Sequence, residues 1–266
     1  MPTPAVNFLI RSDASYTAAR NRFFEGVEET VSNIRILWTP DKNDTLTSRE
    51  ASPDASLFTW DGNVTSRRTK LGFGYSLSFD GSANYGTTPD RANLTFSTSD
   101  LTDQAFTIVM LANVTSTASF KDIITKWDVA GSKREWRLAK TNIDVFQFHL
   151  YDESTSQNPT RGTDAAVGLS AWHLFGVSYS GLGGALAMNG VTMYQDAVAV
   201  ASTATNSGTY VATENGTALF EIGGRNGATN PFLGSLAFVL VCQANVSLSQ
   251  HVALKSLVNQ FFQMAL

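Results

Sequence analysis

The sequence contains few of the residues on which metal and redox chemistry depend. Of its 266 residues, one is a cysteine and three are histidines. The single Cys242 excludes an internal disulfide framework and a cysteine-type zinc site, because both need several cysteines. Three histidines leave little material for a histidine-rich metal centre.

Charged residues and long apolar runs are also scarce. Charged residues make up 16% of the chain, and 19 Lys+Arg against 23 Asp+Glu give a formal charge of -4. A nucleic-acid-binding surface needs clustered Lys and Arg, so this balance predicts no nucleic acid partner. No run approaches the roughly eighteen apolar residues of a membrane span, and we expect no membrane insertion. The length is ample for a sizeable core in one large or two small domains.

The amino terminus lacks the features of an export signal. It reads MPTPAVNFLI, with no basic residue before its apolar stretch. That stretch is shorter than the roughly 7–15 apolar residues of a secretory signal. We therefore expect no signal peptide and synthesis in a cytosol.

The charged fraction of the chain halves near Leu71. Residues 1–70 hold nine Lys+Arg and nine Asp+Glu, whereas residues 71–266 hold ten and fourteen. This change predicts a domain boundary, with 1–70 as an N-terminal extension. Two interpretations stay open: an arm that docks on a larger assembly or trimerises, and a segment that packs on the following domain.

Within this extension, a helical pattern precedes Pro40. Apolar residues recur at three- and four-residue spacing, at Phe23, Val27, Val31 and Ile34. Ser15 is a candidate N-cap, and Pro40 ends any helix because proline lacks the backbone donor. The polar residues 40–56 are typical of a linker.

From Leu71 onward the composition is typical of β-strands. Short segments rich in Val, Ile, Phe, Tyr and Thr alternate with Gly, Asn, Asp and Ser. We predict strands at 75–79, 106–114, 121–127, 136–140, 145–151, 172–179, 184–188, 191–196, 218–222 and 235–243. Their length and spacing indicate a mainly β fold, a two-layer antiparallel jelly-roll sandwich. Segment 235–243 is almost wholly apolar, as in a strand covered on both faces.

The last residues change to a helical period. Ser247 and Gln250 match a capping box, in which the two side chains satisfy the first free backbone donors. An apolar stripe follows at Val252, Leu254, Leu257, Val258 and Phe261. We predict one amphipathic helix over about 248–263, lying on the sandwich.

Seven motifs, in order, resemble those of laminin-G-like, concanavalin A-like jelly rolls. They are FDGSANY (79–85), FTIVML (106–111), WHLFGVSY (172–179), AMNGV (187–191), IGGR (222–225), FLGSL (232–236) and the closing helix (247–259). The resemblance covers about 71–266 and implies this fold and a role in adhesion or recognition.

Many such relatives carry calcium at one rim of the sandwich. Here Ala237 and Phe238 replace the acidic pair that usually follows the last glycine motif, and Asn84 replaces an aspartate. Calcium therefore stays a possible cofactor, with candidate oxygen ligands at Asp80, Asn84, Asp90, Asp128 and Asn226. The alternative is that these residues only stabilise turns, which Asp and Asn favour.

The sequence shows no catalytic pattern. A glycoside hydrolase on this fold needs two carboxylates on one strand face, as in Glu-x-Asp-x-Glu, and the chain has no such run. Asp152 and Glu153 are adjacent, and we expect Glu135 to pair on the surface with Arg134 or Arg137. No Gly-x-Ser-x-Gly elbow is present, so we predict that the protein is not an enzyme.

Glycan binding is the activity most compatible with the loops. A lectin stacks an aromatic ring on the apolar face of a sugar and binds its hydroxyls with polar side chains. The candidate ligand-binding residues are Trp127, Trp136, Tyr151, Tyr210, Arg225 and Asn226. Each aromatic ring is alternatively part of the core, where such rings are common.

We therefore predict a non-catalytic structural or adhesion protein of a bacteriophage virion, a capsid decoration or tail-associated attachment protein. An adhesion fold without an export signal fits a particle that is assembled in a cytosol and then released. The expected partners are other virion or coat subunits through residues 1–70, further copies in a homo-oligomer, and surface glycans. The alternative is a soluble or cell-surface carbohydrate-binding lectin, for which calcium is a candidate cofactor.

Overall fold

The computed structural model describes residues 13–40, 58–61, 68–99, 101–225 and 229–266. Its helices are α1 (Asp13–Thr30) and α2 (Leu248–Phe262). Its strands are β1 (Ile34–Trp38), β2 (Thr59–Asp61), β3 (Arg68–Leu71), β4 (Gly74–Asp80), β5 (Tyr85–Thr88), β6 (Phe106–Val114), β7 (Lys121–Asp128), β8 (Lys133–Lys140), β9 (Phe146–Leu150), β10 (Thr160–Thr163), β11 (Trp172–Tyr179), β12 (Val191–Gln195), β13 (Val198–Ala199), β14 (Ser202–Thr205), β15 (Phe220–Ile222) and β16 (Leu233–Cys242).

The strands form two antiparallel sheets of eight strands each. The first sheet has the order β13-β12-β11-β6-β16-β4-β3, and β1 pairs with the second half of β16. The second sheet has the order β14-β10-β9-β8-β7-β15-β5-β2. The predicted mainly β, two-layer sandwich with a C-terminal helix is confirmed.

The main core lies between the two sheets. It takes alternate residues of both, such as Ile108 and Met110 of β6 and Phe148 and Leu150 of β9. Because successive side chains of a strand point to opposite faces, the residues between these positions face outward. The outer faces of the two sheets therefore depend on that second set of residues.

The outer face of the first sheet is apolar, and both helices cover it. Val109, Leu111, Phe238 and Leu240 form a second buried cluster with apolar residues of α1 and α2. The ring of Phe23 stacks on Phe261 of α2 with centroids 4.6 Å apart. As predicted, β16 is buried on both faces, and burial raises the pKa of the Cys242 thiol to about 12.

The described part of residues 1–70 is built into the sandwich, which corrects the interpretation of a separate arm. Helix α1 packs on α2, and β1 pairs with β16, with Leu37 opposite Leu240. The fall in charge near Leu71 is thus not a break in packing, because β3 crosses it and pairs with β4. Most of the proposed linker, 41–56, lies outside the described residues.

Several element boundaries also differ from the sequence prediction. Helix α1 begins at Asp13 and ends at Thr30, so Ser15 lies inside it and Ile34 belongs to β1. The predicted strand at 184–188 is a 3-10 helix, Gly184–Gly190, entered through two glycines with positive φ. The strands that were missed are short: β1, β2, β3, β5, β10, β13 and β14.

Helix α2 begins at the predicted capping box. The Ser247 side chain accepts from the Gln250 backbone, and the Gln250 side chain accepts from the Ser247 backbone. Within the described ranges, neither helix is both long enough and apolar enough to cross a bilayer.

Replacing Phe24 tests whether α1 is part of the core. Phe24 is fully buried, so we expect Phe24→Ala to lower the free energy of unfolding by about 3–5 kcal/mol in urea denaturation. The exposed neighbour Glu25→Ala is the control and should change it by less than about 0.5 kcal/mol. An unchanged stability for Phe24→Ala would mean that α1 is dispensable.

His251 should make stability depend on pH. His251 belongs to α2, and its buried ring lies 3.0 Å from Ser178 Oγ and is stacked on Tyr194. Burial lowers its pKa to about 4. The unfolded chain then binds more protons than the folded protein between about pH 6.5 and 4, so stability falls as pH falls through this window. The full loss is about 3 kcal/mol at the acid end.

We expect His251→Gln to flatten this slope when melting temperatures are measured from pH 7 to pH 4. The exposed Ser256→Gln on the same helix is the control and should keep the wild-type slope. Part of the slope should survive in His251→Gln, because the pKa of buried His149 is also lowered. An identical slope in wild type and His251→Gln would contradict the assignment.

Candidate functional site

A polar row crosses the outer face of the second sheet. Phe220 and Ile222 of β15, and Trp136 and Leu138 of β8, point into the core, so Glu221 and Arg137 point outward. The strand register joins such outward residues into one line: Thr59, Thr87, Glu221, Thr125, Arg137, His149, Thr160 and Thr205. Both helices lie on the first sheet. The outer face of the second sheet is therefore polar, whereas that of the first sheet is apolar.

A cleft of about 730 Å³ opens at one end of this face. Its lining includes hydroxyl groups, carboxylates and apolar groups, from Thr59, Asp61, Tyr85, Thr87, Asp128, Glu221, Ala218 and Leu219. The size is typical of a site for a small organic ligand. The Leu219 side chain is 44% exposed, so the cleft offers an apolar surface beside its hydrogen-bonding groups.

Tyr85 and Asp61 form a fixed pair in the cleft. The Tyr85 hydroxyl donates to Asp61 Oδ2 at 2.6 Å, and this hydrogen bond raises the pKa of Tyr85 to about 12. Beside this pair, Gly86 lies opposite Trp60 in the register of β2 and β5, and a Cβ there would meet the Trp60 ring at 2.6 Å. Glycine at this position thus lets Trp60 pack inward while Asp61 and Tyr85 face out.

Asp122 of β7, the strand beside β15, is the common acceptor of a second group of residues. It is fully buried and accepts from Arg137 Nη1 at 3.3 Å, Arg225 Nε at 3.0 Å and Asn230 Nδ2 at 3.1 Å. The segment after β15 reaches β7, because Gly223 N donates to Ile123 O and Asp122 N to Asn230 O. This contact brings Arg225 beside Arg137, although the two are far apart in sequence.

Cationic and aromatic side chains stack across the same face. The Arg134 guanidinium lies 3.8 Å from the Tyr151 ring centroid, and Tyr151 packs edge-on to Trp127 at 5.2 Å. Arg137 lies between two rings, 4.4 Å from the Trp127 centroid and 4.9 Å from that of Phe120. Burial lowers the pKa of Arg137 to about 10, which leaves it charged at neutral pH.

A β-bulge sets up this stack. The register between β7 and β8 shifts so that Lys126 faces Trp136 and Trp127 faces Arg134. The extra residue on β8 is Glu135. Residues three positions apart on a regular strand point to opposite faces, but this extra residue places Arg134 and Arg137 on the same face.

Glu135 does not form the surface pair expected from the sequence. It is buried and contacts Lys126 Nζ, which also lies 2.8 Å from Asp90 Oδ1. Burial raises the pKa of Glu135, while Lys126 opposes that effect. Arg134 pairs instead with Glu153, and Arg137 with Asp122.

His149 completes the second group. Its Nδ1 lies 3.2 Å from Asn158 Oδ1 and 3.5 Å from Arg137 Nη2. Burial, and next the positive charge of Arg137, hold the pKa of His149 well below its usual range, so the ring is neutral.

The structure separates the six predicted ligand-binding residues. Trp127, Tyr151 and Arg225 lie on the outer face of the second sheet, where the rings of Trp127 and Tyr151 are buried beside Arg137 and Arg134. Trp136 lies between the sheets, where it packs on Phe106 and donates to Leu94 O. Asn226 lies outside the described residues.

Tyr210 is also part of the interior. Its hydroxyl donates to Asp103 Oδ2 at 2.7 Å, and the Tyr179 hydroxyl donates to the same oxygen at 2.6 Å. Because Trp136 and Tyr210 are both buried by protein on all sides, their placement does not support a role in ligand binding.

The predicted calcium ligands have other contacts. Asp80 accepts from the backbone and hydroxyl of Ser82, which is a turn-stabilising arrangement. Asn84 is buried beside the same turn, and Asp90 contacts the Lys126 ammonium, whose charge would repel a cation. Among the residues that the structure describes, no three His, Cys, Asp or Glu side chains converge to hold a metal ion.

Asp122, Arg137 and His149 were missed as site residues. Arg137 and His149 are each flanked by buried apolar neighbours on a strand, and this pattern predicts an outward side chain. Asp122 follows Lys121 and lacks this pattern. The pattern does not say which strands lie side by side, so it could not predict the cluster.

Residues 80–250 match the family described as the concanavalin A-like lectin/glucanases superfamily (Laminin_G_3). No curated protein matches the sequence.

Solved structures of toxin binding domains are similar in fold. The binding domain of Paraclostridial Mosquitocidal Protein 1 has 10% identity and a TM-score of 0.61, with 86% of this chain and 52% of that chain covered. The Botulinum neurotoxin serotype D ligand binding domain in complex with N-acetylneuraminic acid has 9% identity and a TM-score of 0.62, with 87% and 52% covered. The Botulinum neurotoxin type G receptor binding domain has 10% identity and a TM-score of 0.58, with 85% and 51% covered.

Identities of this size show a shared fold alone. The chain spans about half the length of these toxin domains, so their ligands do not identify a site in this one.

Proposed function

Because the chain belongs to the concanavalin A-like lectin/glucanases superfamily, we propose that it is a non-catalytic protein that binds glycans in the cleft of its second sheet. The cleft is the observation that carries the proposal. One similar toxin domain, in complex with N-acetylneuraminic acid, supports glycans as the ligand class.

The cleft chemistry matches a sugar, which has apolar C–H faces between hydroxyl groups. Asp61 and Glu221 are acceptors for sugar hydroxyls, and Thr59 and Thr87 both donate and accept. The Tyr85 ring and the exposed Leu219 side chain offer apolar surface for the C–H face. Hydrogen bonds from hydroxyls to carboxylates are among the stronger ones available to such a ligand.

Binding should depend on the cleft side chains. We expect Asp61→Asn to lower the affinity for the best ligand of a glycan array about tenfold, since a hydrogen bond to a charged group is worth roughly 1.5–3 kcal/mol. Leu219→Ala should lower it by a similar factor, because the variant removes apolar surface that the ligand would cover. The exposed Ile143→Ala, at the turn between β8 and β9, is the matched control and should bind as wild type does.

The array is run in calcium and in chelator, and the supernatants are assayed for released sugar ends. If Asp61→Asn, Leu219→Ala and the control Ile143→Ala all lose the same affinity, the cleft is not the binding site. Sugar release by the wild type would overturn the non-catalytic assignment, and binding that disappears in chelator would favour the calcium-dependent lectin.

The proposal extends to display on a larger assembly, a phage virion or coat, with the glycan face outward. The helices cover the opposite sheet, and apolar side chains remain exposed beside α2: Val198 is 64% exposed and Val252 is 53% exposed. A shallow groove joins them to Lys255 and Met264. Docking of neighbouring subunits on this groove leaves the second sheet accessible.

Sedimentation velocity tests this assembly. We expect the wild type to form homo-oligomers and Val252→Asp to be monomeric, because a charge in an apolar interface is costly. The exposed Asn142→Asp, on the second sheet, makes the same change in charge and should stay oligomeric. A monomeric wild type would count against self-assembly through this face.

A further inference from the structure

We propose that Arg137, His149 and Arg225, an oxyanion subsite beside the cleft, bind the negatively charged group of an acidic sugar. This inference rests on the proposed function and deepens it by naming the class of glycan. The shared chemistry is a single oxyanion, which is a carboxylate in a uronic or sialic acid and a sulfate ester in a sulfated sugar.

The charges in the subsite do not cancel. Arg137 and Arg225 share one carboxylate, that of Asp122, and His149 is neutral. The neighbouring Arg134 does not change this balance, because it is paired with Glu153. Buried or half-buried charges are normally matched by a partner, so a net positive charge on this face favours an anionic ligand.

Hydrogen-bond donors are also in excess. A guanidinium has five N–H groups, yet among the described residues Arg225 donates only from Nε, toward Asp122. In the described structure, Arg137 Nε and His149 Nε2 are buried without a hydrogen-bond partner. Buried polar atoms are rarely left unpaired in native proteins, and an oxyanion would supply an acceptor for Arg137 Nε. His149 Nε2 donates as well in the tautomer whose Nδ1 accepts from Arg137 Nη2.

The subsite is rigid and reachable. The guanidinium of Arg137 is fixed between the rings of Phe120 and Trp127, which reduces the entropy lost on binding. The side chains of Arg137 and Arg225 remain 12% and 11% exposed. A planar guanidinium matches the geometry of a carboxylate or sulfate better than an ammonium does.

The position relative to the cleft fits one oligosaccharide. Glu221, which lines the cleft, pairs with Thr125, and Thr125 pairs with Arg137. Two strand spacings separate the backbones of Glu221 and Arg137 by about 10 Å. One sugar in the cleft can therefore be linked to an acidic sugar over Arg137.

The test uses matched oligosaccharides that are neutral, carboxylated or sulfated on the same backbone, with affinities measured by calorimetry. We expect the wild type to prefer an acidic member, and Arg225→Gln to lower the ratio of acidic to neutral affinity about tenfold. Arg225→Lys should restore part of the ratio, because it keeps the charge and loses the fork. Lys70→Gln, on an exposed edge of the first sheet, is the control with the same change in charge.

The carboxylated and sulfated arms distinguish the two sources of the oxyanion. If Arg225→Gln has the same ratio of acidic to neutral affinity as the wild type, the subsite is overturned while the cleft proposal stands. The Asp61→Asn variant tests the cleft instead. It should bind the neutral, carboxylated and sulfated oligosaccharides more weakly by the same factor, so the ratio of acidic to neutral affinity should not change.

A second readout separates failure of the subsite from failure of glycan binding. Inorganic sulfate, compared with chloride at equal ionic strength, should raise the melting temperature of the wild type and raise that of Arg225→Gln less. Equal shifts in both proteins would contradict the subsite even if no glycan binds. A difference between them without any glycan binding would keep the oxyanion subsite and reject the sugar cleft.

Discussion

The organisation of this protein depends on one constraint: the central strands of the first sheet are apolar on both faces. Strands β6 and β16 send alternate residues into the space between the sheets and the remaining ones, such as Leu111 and Phe238, to the other side. Exposing that second set to water would cost about 25 cal/mol for each Å² of apolar surface, so it must be covered. Helices α1 and α2 cover it, which leaves the outer face of the second sheet free of helices.

The second sheet differs because its outward positions are polar. Its outer face combines a cleft rich in acceptors with a group rich in donors, joined through the register of β15, β7 and β8. Asp122 holds the donor group together, because its carboxylate binds two guanidiniums and an amide at once. The rings of Trp127 and Phe120 then restrict Arg137 to one orientation. Acidic and basic groups on one rigid face suit a ligand that carries both hydroxyl groups and a negative charge.

The N-terminal residues show where composition misleads. Their charge density suggested a separate unit, yet Phe24, Ile34 and Leu37 are buried in the sandwich. A small number of well-placed apolar residues decides packing, whereas the charged fraction reports only on the exposed remainder of the segment. The aromatic candidates were also not resolved by the sequence, because a ring near a predicted loop can lie on either face of a strand. Trp127 faces outward, and Trp136 faces the core.

The sequence by itself determined the sandwich, the strands with strong alternation such as β6 and β11, and the capped helix α2, because these follow from local periodicity and hydrogen bonding. Only the tertiary structure decided which outward residues meet. Arg137 and Arg225 are joined by Asp122 through the contact of the segment after β15 with β7, and the bulge at Glu135 places Arg134 on the same face. Strand order and bulges arise from packing between distant segments, and no local pattern in the sequence encodes them.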